Sequence, residues 1–146
     1  MHLLRIEQSG ELYADGEAID LGQTPAPIVV LTAADTEISL LSAATRQSGR
    51  GEDAVRIANL LSLSHPNSVD LYIDAVLRHA RVIAIRLLGG VSYWSYGVEQ
   101  VAAMARRQNI PLAFLPGDGK PDPELDAQST LPPAELMRLN DYLTAG

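Results

Sequence analysis

Residues 81–97 read RVIAIRLLGGVSYWSYG, and the order of residue types in this stretch decides the fold class. Val82, Ile83, Ala84, Ile85, Leu87 and Leu88 form a nearly continuous apolar run, as expected of a central parallel strand covered on both faces. Gly89 and Gly90 then let the backbone turn sharply or approach a neighbour closely. Tyr93, Trp94 and Tyr96 open the helix that follows, in a chain that is only 5% aromatic. Ligands of open α/β sheets bind at the carboxyl ends of strands, so a site or docking surface is expected here.

Outward from this strand, three more apolar segments read as strands: residues 28–33 (IVVLTA), 55–63 (VRIANLLSL) and 110–115 (IPLAFL). Helical spacing fills the gaps. Asp35 is a candidate N-cap for a helix over 36–48, His65-Pro66-Asn67-Ser68 leads into a second over 69–80, and a third spans 92–108. After Pro116 the segment GDGKPDPELDAQS reads as a polar loop, and a last helix is expected over 132–142. An amino-terminal hairpin is expected between residues 2–7 and 13–19, turning at Asp15-Gly16. Strands alternating with helices imply an α/β three-layer sandwich with a mostly parallel sheet, flavodoxin-like or Rossmann-like, as a single domain over 1–146. Its termination at Thr144-Ala145-Gly146, directly after a helix, leads us to expect a piece of a longer polypeptide.

Composition narrows the function. A net charge of -7 argues against nucleic acid as a partner, because phosphate contacts need clustered Lys and Arg, and Lys120 is the sole lysine. No cysteine is present, which excludes disulfides, thiolate metal sites and a cysteine nucleophile. The amino terminus lacks a signal-peptide apolar core, and no apolar run approaches the roughly 20 residues of a membrane span, so a cytoplasmic location is expected.

The candidate ligand or docking rim comprises Gly89, Gly90, Tyr93, Trp94, Tyr96, His65 and Asp118, each with a plainer alternative. Gly89-Gly90 opens a helix as an anion site would, yet it is neither a G-x-G-x-x-G nor a P-loop motif, and a tight strand-to-helix turn explains it as well. The aromatic trio could stack on a flat macrocycle, anchor another domain or subunit, or fill core; neighbours on a helix diverge, so all three cannot serve one surface. His65 reads first as a loop-fixing or capping residue. Asp118, Asp122, Glu124 and Asp126 could supply Mg²⁺ ligands, but such a loop is more often simply solvated. A receiver-type phosphoacceptor site fails, because the third strand ends in Gly89-Gly90, and the corrinoid-binding D-x-H-x-x-G pattern is missing. No catalytic triad or paired-carboxylate arrangement stands out, and no catalytic or metal-binding residue is assigned.

Several segments in collinear order, LLGG followed by YWSYG, HPNSVDLY, LAFLPGD and DAQSTLPP among them, resemble the extreme amino-terminal region of the CobN-type large subunits of aerobic cobaltochelatase, in the family of the magnesium chelatase H subunit. That resemblance implies a far longer parent that binds Co²⁺ and hydrogenobyrinic acid a,c-diamide. It also implies two partner subunits, one an AAA+ ATPase, that supply ATP hydrolysis with Mg²⁺. The groups acting in metal insertion would lie beyond these residues, leaving this segment without a cofactor and with a scaffold, gating or docking role against the remaining domains of the parent chain. The alternative is a self-sufficient flavodoxin-like module binding a small molecule through the rim loops.

Overall fold

The computed structural model describes residues 7–8, 11–12, 18–49, 51, 53–118 and 120–145. Its centre is a four-stranded parallel sheet of β3 (Ile28–Thr32), β4 (Val55–Asn59), β5 (Val82–Leu87) and β6 (Leu112–Pro116), in the order β4-β3-β5-β6. Val30 pairs with Ile57 on one side and Ala84 on the other, and Ile85 pairs with Phe114. The step from β3 to β4 and the steps onward to β5 and β6 run in opposite directions along the sheet. Right-handed crossovers therefore send their helices to opposite faces. On one face lie α2 (Pro66–Ala75), α3 (Ser95–Gln108) and α4 (Pro123–Gln128); on the other lie α1 (Asp35–Gln47) and α5 (Pro133–Ala145). This is the expected α/β three-layer arrangement, with the flavodoxin-like strand order.

The two faces are covered unequally. Val29, Leu31, Ile83, Ile85, Leu87, Leu112 and Phe114 point into a continuous core with α2, α3 and α4. The opposite core is small: Ala113 and Leu115 of β6 meet Leu136 of α5. α1 leans on β4 and β3 without burying any side chain completely.

Element ends depart from the sequence reading for local reasons. β4 stops at Asn59 rather than Leu63, because the Asn59 side chain accepts a hydrogen bond from the Leu61 amide (2.9 Å) and starts a 3₁₀ turn over Leu60–Leu63. α2 begins at Pro66 and ends at Ala75, followed by a second 3₁₀ turn over Leu77–His79. The third helix opens with a 3₁₀ turn over Val91–Trp94 before α3 proper. The expected loop after Pro116 contains α4: Asp122 accepts from the amides of Glu124 (3.1 Å) and Leu125 (3.2 Å), and Pro123 occupies the first turn. Within the region of the expected hairpin, β1 (Glu7–Gln8) pairs antiparallel with β2 (Glu11–Leu12). Residues 1–6 and 13–17 of that expectation lie outside the described residues.

The segment DAQSTLPP shields an exposed sheet edge. Ser129 Oγ accepts from the Phe114 amide (2.9 Å) and Thr130 Oγ1 from the Leu112 amide (2.7 Å), occupying groups that an edge strand would otherwise offer to another chain.

One glycine of the opening stretch has a packing reason. The Trp94 indole folds back over α3, and a Cβ built on Gly97 would lie only 2.1 Å from a ring carbon. Glycine to alanine inside a helix normally gains about 1 kcal/mol in propensity. Overpacking costs about 1–3 kcal/mol and wins where the obstacle is a buried ring. Gly97→Ala is therefore expected to lower the urea midpoint, and an unchanged or higher midpoint would show that the ring has room to move.

Candidate functional site

The structure does not gather the candidate rim residues into one surface. Tyr93 and Trp94 are each only 4% exposed, which corrects the expectation of an exposed aromatic cluster. Trp94 Nε1 donates to the Leu63 carbonyl (2.9 Å), so the polar handle that favours an interface is used inside the fold. Tyr96 alone of the trio reaches solvent, where its hydroxyl donates to the Asp70 carboxylate (2.8 Å to Oδ1). That bond raises the phenol's pKa above the usual tyrosine value. His65 caps α2, its Nδ1 accepting from the Asn67 amide (3.1 Å). Asp118 is exposed and accepts from the Lys120 amide (3.0 Å) within its own turn.

The diglycine makes a turn. Gly90 adopts φ 74°, and a Cβ there would sit 3.2 Å from Asp122 Oδ2. The neighbouring Gly117 lies so close to Leu88 that a Cβ would come within 2.7 Å of its Cα, and the Gly117 amide donates to the Leu87 carbonyl (2.9 Å). Gly89 is exposed beside this contact. The loops after β5 and β6 are thus locked together by close backbone packing. Among the described residues no cluster of three or more His, Asp or Glu could hold a metal ion, and no helix is long and apolar enough to cross a membrane.

A different feature lies over the sheet face beside the switch point. The sheet reverses its winding between β3 and β5, and there the thinly covered face opens into a groove of about 480 Å³ between α1 and α5. Val30 and Ala84 line its floor, and Leu115, Leu139, Leu40 and Tyr142 its sides. Leu40 is 70% and Tyr142 67% exposed. At the carboxyl ends of the two strands the groove closes on a polar network. Arg86 of β5 pairs with Glu37 of α1 and donates to the Gly117 carbonyl (3.0 Å), while Thr32 Oγ1 donates to Glu37 Oε1 (2.6 Å). Both charged side chains are 19% exposed. Arg86 Nε is buried and has no partner among the described residues.

Sequence reasoning passed over Arg86 and Glu37. The available signal was a cation inside an apolar central strand, since a buried charge requires a partner.

Fold and groove together define a doubly wound α/β domain with one finished face and one half-open face. No family model matches the chain. Over all 146 residues it is 48% identical to aerobic cobaltochelatase subunit CobN of a Sinorhizobium species, and 46% identical to the subunit of that name from Pseudomonas aeruginosa. The chain is homologous over its whole length to a segment of the CobN-type subunit. It spans 11% and 12% of the length of these curated relatives.

Proposed function

We propose that this chain is the amino-terminal accessory domain of a CobN-type subunit, working within a cytoplasmic, ATP-dependent cobaltochelatase that inserts Co²⁺ into hydrogenobyrinic acid a,c-diamide in cobalamin biosynthesis. The observation that carries the reading is identity of 46–48% across every residue of the chain. A structural role fits the side chains: His65, Asp118, Trp94 and the Glu37–Arg86 pair are all engaged with the chain itself. The domain supplies shape and attachment, while the remainder of the subunit and its AAA+ partners supply metal handling and ATP hydrolysis.

The competing module reading, a flavin or nucleotide binder, meets an electrostatic obstacle. Phosphate approaching the start of α1 at the switch point would meet negative charge, because Asp35 and Glu37 lie in that first turn.

The test is cobalt insertion by the reconstituted enzyme containing the full-length subunit. Tyr96→Phe and Asp118→Ala are expected to leave the rate within about two-fold, as exposed substitutions that touch no chemistry. A tenfold fall in either variant would place substrate or metal handling in this domain and overturn the accessory role. Failure of the unaltered enzyme to insert cobalt would overturn the chelatase reading itself.

A further inference from the structure

The half-open face has an exposed apolar rim, a floor of central-strand residues and a neutral polar end, and these constrain what can fill it. In a four-stranded doubly wound sheet, two helices on one face sit over the outer strands; here α1 leans on β4 and β3, and α5 on β6. Val30 and Ala84 of the inner strands are left half-covered between them. Leu40 and Tyr142 stand on opposite walls with most of their surface in water. Exposed apolar side chains grouped around a concave apolar floor are a feature of interaction surfaces.

We propose that the groove between α1 and α5 is the docking surface for another segment of the same CobN-type polypeptide, which inserts apolar side chains over Val30 and Ala84 between Leu40 and Tyr142. This rests on reading the chain as part of a CobN-type subunit. Two observations select that occupant. Nearly nine-tenths of the relatives' length lies outside the segment matched here, so the polypeptide that can cover the face is long and held close by covalent linkage. The groove also suits apolar side chains better than a polycarboxylate tetrapyrrole. The cation at its end, Arg86, is already committed to Glu37 and the Gly117 carbonyl, and the chain carries a net charge of -7. An anionic ligand gains little there, whereas an apolar side chain gains from every square ångström it covers.

Hydroxyl-radical footprinting of the full-length subunit tests this, with each residue's labelling rate normalised to that of the denatured chain. Met137, 66% exposed but outside the groove lining, and Tyr96, 38% exposed, serve as internal references. The expected result is protection of Leu40 and Tyr142 to the level of buried Leu31 and Tyr72, with Met137 and Tyr96 still labelled. Leu40 and Tyr142 labelled as readily as the references would overturn the proposal. Protection that appears only on adding the ATPase subunits or the tetrapyrrole would overturn it too, by naming a different occupant, as would protection that rises with protein concentration and so reports a second copy. Because labelling needs no turnover, the docking result stands or falls separately from cobalt insertion.

Discussion

Replacing Trp94 by alanine is expected to remove about 3–5 kcal/mol of folding stability, the cost of truncating a large buried aromatic. The side chain is 4% exposed and joins two parts of the core, lying over Gly97 of α3 while its Nε1–H reaches the Leu63 carbonyl at the end of the 3₁₀ turn after β4. Alanine leaves a cavity and also strands that carbonyl, a further cost of about 1–3 kcal/mol wherever water cannot enter. Trp94→Phe keeps most of the volume and loses the donor, so its cost should fall near the carbonyl penalty alone. With about 5–15 kcal/mol available to a domain, the alanine variant is expected to melt on the order of 10 °C lower. Urea unfolding followed by far-ultraviolet circular dichroism measures this without the indole. In the unaltered protein the single tryptophan should report the same geometry, with blue-shifted emission that acrylamide quenches poorly. Emission typical of a hydrated indole, or an alanine variant as stable as its parent, would place Trp94 on a surface after all.

The sequence and the structure part company for reasons that can be named. Three of the four parallel strands were legible because Ile28–Thr32, Val82–Leu87 and Leu112–Pro116 are apolar runs bounded by turn residues. The end of β4 was not, because Leu60–Leu63 stays apolar after the backbone has turned, and only the Asn59 cap marks the change. α4 hid inside a segment whose Pro and Asp content resembles a loop, although Asp122-Pro123-Glu124 carries a helix-start signal. For His65 the capping alternative matches the observed bond. The aromatic cluster was misplaced because composition gives the residue type and not its direction. Gly97, one turn beyond Trp94, opens the space that draws the indole inward, and that is a property of the packed helix. The groove was beyond reach for a similar reason. It arises from where α1 and α5 sit over the sheet, not from any run of residues.

Arg86→Met is expected to cost up to about 3 kcal/mol, the lower end for a buried pair, because removing one member of a half-buried ion pair leaves the other charged and poorly solvated. Glu37 would keep only the Thr32 hydroxyl of its two polar partners. The damage should be local as well as global. α1 buries no side chain completely, so the Glu37–Arg86 and Glu37–Thr32 contacts are a large share of what holds it over β3 and β4. Amide exchange should accelerate through α1 and β4 in the variant, while α3 and β6, which belong to the dense cores, keep their protection. The double variant Glu37→Leu/Arg86→Met separates pair energy from packing. Replacing both charges by apolar groups of similar size is often neutral or stabilising, so most of the lost stability should return. If the single variant unfolds at the parent's urea midpoint, the pair contributes nothing and α1 is held by packing alone. If the double variant is as unstable as the single one, the loss reflects shape and not charge. Recovery in the double variant would instead mean that the two charges are dispensable for the fold, and that their effect is to keep the carboxyl end of the groove polar while the rest of it remains apolar.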